Sequence, residues 1–245
     1  MNVEIKIIMK LIIDSNESCY IVGGYPRNRL MNISGNDYDL ATSASCEKLK
    51  VILHDYPIDS YAMKYGHLIV KVNNYKVDIT TLREDFNSIN RKTDIAYTKS
   101  LYIDSQRRDF TINAIYYNLN DVYIDCHNGI RDLDNQLIRT IKDPDISFKE
   151  DPIRMLRALR FKSEYNFNID EATAISIHRN FKLLTKINNN SKKKEYNKIV
   201  DGKYFMNVYH EYRDCLLIEN IEENKLINDT NDHLDCIKEI VRGIK

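Results

Sequence analysis

Two carboxylates spaced two residues apart, Asp37 and Asp39, follow a glycine pair in the segment Gly23-Gly24-Tyr25-Pro26-Arg27. Positions i and i+2 of a β-strand face the same side, so Asp37 and Asp39 are expected to aim together and share divalent metal. Glycines without a Cβ let backbone N–H groups come close to a phosphate chain. A third carboxylate, Asp78, stands among Val77, Ile79 and Leu82, where alternation puts it opposite Val77 and Ile79. Burying it unpaired is costly, so it either faces solvent or joins Asp37 and Asp39. Mg²⁺ takes hard oxygen ligands and keeps phosphate oxygens in its shell. Two such ions can activate an attacking 3′-hydroxyl and stabilise departing pyrophosphate. The combination suits metal-assisted transfer of a nucleotide from a triphosphate.

These residues must be positioned by short elements. Cys19–Val22 reads as a buried strand ending at the glycine pair, and Pro26 as a residue opening a helix over 27–32. Asp37–Ala41 reads as a second strand, and Thr42–Ser45 as a polar break capping a helix over 47–54. His67–Val72 and Tyr75–Leu82 alternate with period two around Asn73-Asn74 and predict a hairpin. Residues 84–106 are polar and weakly patterned and read mainly as a mobile loop. Phe110–Tyr117 is helix or strand; its period does not decide. Val122–Asp125 reads as a strand and Asn128-Gly129 as a turn. From Asp151 the pattern is helical, with Asp170 as an N-cap and Asn188–Lys194 as a basic linker. The remainder from Glu195 is helical with a break near Gly202.

The chain has 245 residues, 43% hydrophobic and 29% charged, with 36 basic residues balancing 36 acidic ones. That supports a soluble globular core and excludes a global field drawing the chain to nucleic acid, so RNA contact must be local. The five cysteines form no C-x-x-C pair. Reduced thiols in a cytoplasmic compartment are therefore expected rather than zinc or disulfides. Glu4, Lys6 and Lys10 interrupt the apolar start, which reads as an amphipathic helix and not a signal peptide. No membrane span is expected.

Four ordered strings resemble those of the bacterial-type (class II) tRNA nucleotidyltransferases and bacterial poly(A) polymerases. They are Ile21–Leu30 with Asp37–Thr42, Arg107–Ala114, Asp125–Leu133, and Glu150–Phe161. The resemblance runs from about Cys19 to Phe161 and more weakly to Ile199. It implies an α/β head, polymerase-β-like, with a small mixed sheet and flanking helices over 1–142. An all-α neck over 143–200 and a truncated helical body over 201–245 would come next. It implies that Gly23, Gly24 and Arg27 contact the triphosphate, and that Asp37, Asp39 and Asp78 are the catalytic, Mg²⁺-holding carboxylates. Arg107, Arg108, Asp109 and Asn113 would handle ribose and phosphates, Asp109 accepting from a 2′-hydroxyl.

The fourth string also has a physical reading. Asp151 and Arg154 are i and i+3 on a helix and so are neighbours. An acceptor beside a donor matches the amino group and ring nitrogen of cytosine and of adenine. Uracil and guanine present the reverse order and would leave buried groups unpaired, at about 1–3 kcal/mol. One residue pair then selects CTP and ATP. The alternative is a helix ion pair worth about 0.2–0.5 kcal/mol. Arg157 and Arg160 continue the spacing and can serve phosphate or RNA. His67 and His127 read as structural. Lys192–Lys194 read as a solvated face or an RNA contact, and Glu195 with Lys198 resembles a further neck string.

Asn28 departs from the aspartate usual in the family, and the chain is short for it. The expected activity is addition of CCA, from CTP and ATP, to the tRNA 3′ end, with a partner protein or oligomer replacing the missing tail. A poly(A) polymerase, a CC- or A-adding enzyme, and an inactive RNA-binding subunit are the alternatives.

Overall fold

The computed structural model describes residues 1–35, 37–73 and 75–216 and divides into two compact units, 1–87 with 93–134 and 88–92 with the chain from 135. In the first unit α1 is Val3–Asp14, β1 Cys19–Val22, α2 Gly24–Leu30, β2 Tyr38–Thr42 and α3 Cys46–Ile52. Then come β3 Ile58–Asp59, β4 His67–Val72, β5 Tyr75–Thr81, β6 Arg83–Ile89 and β7 Lys92–Tyr97, residues 88–92 of this last pair belonging to the second unit. The unit ends with α4 Leu101–Gln106, β8 Ile115–Tyr117, β9 Tyr123–Asp125 and α5 Gly129–Asp134.

Seven strands form one sheet in the order β3-β4-β5-β2-β1-β8-β9. Only the β2–β5 pair is parallel; the other registered neighbours are antiparallel. One face is covered by α1 and α3. Ile5, Ile8, Met9 and Ile12 repeat at i, i+3, i+4 and i+7, and all four are fully buried, so α1 lays a single stripe on the sheet. They meet Ile21, Leu40, Leu68, Val70, Val77 and Ile79 from alternate strand positions. Each such side chain contributes about 1.5–3 kcal/mol by leaving water. The opposite face carries a smaller cluster of Val22, Ala41, Leu82 and Tyr116, which leaves room there for polar side chains.

The second unit contains β10 Leu137–Ile138, α6 Pro144–Glu150, α7 Ile153–Tyr165, β11 Asn168–Ile169, α8 Glu171–Asn180, α9 Asn189–Asp201 and α10 Phe205–Leu216. β10 and β11 pair in parallel. Asp143 caps α6 through Ile146 N–H at 3.1 Å, with Pro144 at the first turn. The expected caps at Ser45 and Asp170 are present, and Gly202 interrupts the helices as expected.

Three expectations change. Residues 84–106 are not a loop: β6 and β7 pair as a two-stranded sheet, followed by α4. No residue of either strand is buried. A ribbon without a core face has no reason to alternate apolar and polar residues, and the turn uses positive φ at Asn90 and Arg91, the second an uncommon residue there. Phe110–Tyr117 is both alternatives in part, a 3₁₀ turn at Thr111–Asn113 and then β8. Asn188–Lys194 is not a linker: Asn188 accepts from Ser191 N–H at 2.8 Å and starts α9. Of the helical part expected over 201–245, positions 217–245 lie outside the described residues.

Candidate active site

The sheet's open face is built around Asp39. It lies in register with Val22 of β1 on one side and with Asp78 of β5 on the other. Equivalent register puts Asp39 and Asp78 on one face of neighbouring strands, both half-buried. Gly23, immediately after Val22, has φ +83° and ψ −125°, a conformation confined in practice to glycine. A Cβ there would lie 3.2 Å from Asp39 Oδ2. The missing side chain therefore keeps open the space beside that carboxylate.

The convergence of three carboxylates expected from the sequence is not realised. β2 begins at Tyr38, so Asp37 lies ahead of the strand and is exposed. Asp78 Oδ1 is bonded to His67 Nε2 at 2.7 Å. Among the described residues no group of three or more His, Cys, Asp or Glu side chains is arranged to hold a metal ion. The donor set still fits Mg²⁺ in kind, being hard carboxylate oxygens, and the open cradle at Gly23 fits a ligand against Asp39.

A second group radiates from α2. Arg27, only 6% exposed, donates from Nη1 to Asn113 Oδ1 at 2.5 Å and from Nη2 to Asn28 Oδ1 at 2.8 Å. Asn113 Nδ2 donates in turn to Asp109 Oδ1 at 3.1 Å, which also accepts from Phe110 N–H. Arg27, Asn113 and Asp109 are thus one hydrogen-bonded chain, and Asn28, the departure from the family, is part of it. Gly24 opens α2 beside Gly23.

Arg107 and Arg108 are held by a residue that sequence reasoning passes over. Asp104 is fully buried. Its Oδ1 accepts from Arg107 Nε at 2.9 Å and from Arg83 N–H at 3.1 Å. Its Oδ2 accepts from Arg108 Nη2 at 3.0 Å and from Tyr116 Oη at 2.6 Å. Burial opposes its ionisation, but Arg108 and Arg107 prevail and draw its pKa down to about 2. Its i, i+3, i+4 spacing to the two arginines is the signal available in the sequence. Asp125, in the third string, serves the fold: its carboxylate accepts from the N–H groups of His127, Gly129 and Ile130. His127 Nε2 meets Ser105 Oγ at 2.7 Å, in keeping with a structural role.

In the second unit Asp151 and Arg154 are not i and i+3 on one helix as expected. Asp151 ends α6 with extended backbone (φ −142°, ψ 97°) ahead of α7, because Pro152 caps the new helix, and it accepts from Ile153 N–H at 3.2 Å. Arg91 Nε lies 3.6 Å from its Oδ1. Burial raises the Asp151 pKa against the pull of Arg91, Arg154 and Arg157. Arg154 donates to Ser147 Oγ at 2.9 Å and to Glu150 Oε2 at 3.2 Å. Arg157 is half-buried on the same helix. Arg160 is gripped by both oxygens of Glu195, at 3.2 and 3.0 Å, and lies over the Phe161 ring. It joins α7 to α9. Lys192 is buried while Lys193 and Lys194 are exposed.

Residues 19–139 match the family model of the poly A polymerase head domain. The CCA-adding enzyme of Lactobacillus helveticus is 32% identical over 218 residues, 88% of this chain and 54% of that protein. The crystal structure of the Bacillus stearothermophilus CCA-adding enzyme in complex with CTP superposes with a TM-score of 0.79 at 29% identity, over 86% of this chain and 52% of that one. A tRNA nucleotidyltransferase complexed with a primer tRNA and an incoming ATP analog gives a TM-score of 0.72 at 28% identity, over 88% and 62%. The chain spans about half the length of the curated relatives it matches. Among the described residues no helix is long and apolar enough to cross a membrane. The mixed sheet carrying Asp39 and Asp78 in register, the four ordered strings and these similarities together make the chain a member of the class II tRNA nucleotidyltransferase and bacterial poly(A) polymerase family.

Proposed function

We propose that the protein adds CCA to the 3′ end of tRNA, taking C and A from CTP and ATP. The observation that carries the reading is the pairing of Asp39 with Asp78 beside the Gly23 cradle. The relatives supply the substrates: one is crystallised with CTP, another with primer tRNA and an ATP analog.

Asp37 and Asp39 would hold Mg²⁺, with Asp78 joining them on release from His67. When bound, the metal supplies charge against the triphosphate and lowers the barrier to attack by the RNA 3′-hydroxyl. The chain's own part is positioning. Gly23 and Gly24 offer close backbone approach to the phosphates. The Arg27–Asn113–Asp109 chain and the paired Arg107 and Arg108 present fixed donors, and Asp109 is the acceptor for a ribose 2′-hydroxyl. Preorganised charges of this kind need no rearrangement during reaction. Asp151 accepts from the exocyclic amino group of C or A, and Arg154 donates to the adjacent ring nitrogen. Ser147 and Glu150 brace Arg154 in that role.

The test is incubation with Mg²⁺ and tRNA lacking its last three nucleotides, with CTP, ATP or both. Addition of three nucleotides and then arrest supports the reading. An unlimited A ladder points instead to polyadenylation, and incorporation no greater than that of Asp39→Ala rejects the enzyme.

A further inference from the structure

The first unit holds a cavity of about 720 Å³ that the proposed reaction does not use. Its walls are Tyr25, Arg29, Tyr38, Tyr123 and the segment Asn32–Gly35. Tyr25 and Tyr38 have ring centroids 4.8 Å apart, as do Tyr117 and Tyr123, and a 6.2 Å contact of Tyr25 with Tyr117 joins the two pairs. The guanidinium of Arg29 lies 5.3 Å from the centre of the Tyr117 ring. Arg29 is exposed, and no carboxylate among the described residues lies in ion-pair distance of it. The acid whose field reaches it, Asp121, is engaged by the Tyr117 hydroxyl.

Tyrosine faces beside a cation lacking a close acidic partner recognise a planar ring that carries an anion. The volume is in the range of small-molecule sites, about 300–1,000 Å³. The cavity is separate from the Asp39 cradle. Tyr38 belongs to the core on the α1 side of the sheet, and Asp39, the next residue along β2, points to the other side.

We propose that this cavity is a second nucleotide site, with a base against the half-buried Tyr123 and its phosphate at Arg29, the buried Tyr25 backing the wall. The same chemistry is offered by a free mononucleotide and by an unpaired nucleotide of RNA. The experiment uses the full chain carrying Asp37→Ala and Asp39→Ala, in EDTA, titrated by calorimetry with AMP and separately with a single-stranded oligoadenylate. Binding should persist in that background. Adding Arg29→Glu, an exposed change that circular dichroism can check for folding, should weaken it about tenfold, the loss of a charge contact plus like-charge repulsion. AMP binding as tight as that of the oligomer identifies a free nucleotide as the occupant; binding of the oligomer alone identifies RNA. Affinity unchanged by Arg29→Glu, or no binding of either probe once Asp37 and Asp39 are replaced, overturns the site. Neither readout depends on nucleotide addition, so the site can fail while the CCA reading stands, and the reverse.

Discussion

Asp104 Oδ2 accepts from Arg108 Nη2 at 3.0 Å with the carboxylate fully buried, so one acid fixes a guanidinium proposed for the triphosphate. Removing one partner of a buried pair strands the other's charge and costs about 3–5 kcal/mol. Asp104→Asn should destabilise the protein on that scale in urea melts and raise KM for CTP and ATP more than it lowers kcat. The pH dependence has a definite sign. The folded pKa of about 2 lies below the ordinary 3.8, so the stabilisation is present above about pH 4 and is lost as pH falls through about 2. Its size is about 2 kcal/mol. Urea midpoints between pH 5 and 2 should fall for the wild type and lose this component in Asp104→Asn.

Asp151 carries the opposite sign. Burial raises its pKa, so the folded state prefers the protonated acid. That contribution is present below the unfolded value and is lost as pH rises through the folded one. Above the folded value the ionised carboxylate is carried at a cost to stability. Asp151→Asn should therefore raise Tm at pH 7 while admitting UTP or GTP in incorporation assays with each triphosphate alone. A fall in Tm with base choice intact would mean that Asp151 serves only the end of α6.

Gly23→Ala tests the cradle. The φ of +83° penalises any side chain, by about 1–3 kcal/mol. The added Cβ would press on Asp39 Oδ2 at 3.2 Å. Activity should drop further than stability explains, measured as kcat on a shortened tRNA at a temperature where circular dichroism shows the variant folded. Gly24→Ala, whose Cβ would meet only Arg27 Nη2 at 3.8 Å, should be much milder.

How far the sequence reaches is visible in these same residues. The Asp39–Asp78 register is legible because both strands alternate around a buried face, and a one-residue slip would expose Val77 and Ile79. The helix expected over 27–32 from Pro26 is present but runs Gly24–Leu30, because it starts at the glycine pair and places Pro26 in its first turn. Asp37 misleads because spacing alone does not say where a strand begins. The β6–β7 ribbon is hidden because both its faces are wet. Asp104 escapes notice because a lone acid on a short helix looks like surface until its burial is known. Helical spacing groups Arg160 with the arginines expected to serve nucleotide, and its partner, Glu195, lies 35 positions away in sequence.

That last pair yields a further prediction. The Arg160 side chain is 11% exposed and that of Glu195 13%, and Arg160's other acid, Glu164, is more distant at 3.6 Å. Glu195→Ala leaves a buried guanidinium with one weaker partner, which should cost about 3–5 kcal/mol. Glu195→Gln retains a hydrogen-bond acceptor and should cost less. If Arg160 acts by tying α7 to α9, activity in both variants should follow the folded fraction, with KM for CTP and ATP unchanged at temperatures well below Tm. If it binds phosphate or RNA directly, Arg160→Lys should raise KM for nucleotide or tRNA while Tm stays near that of the wild type.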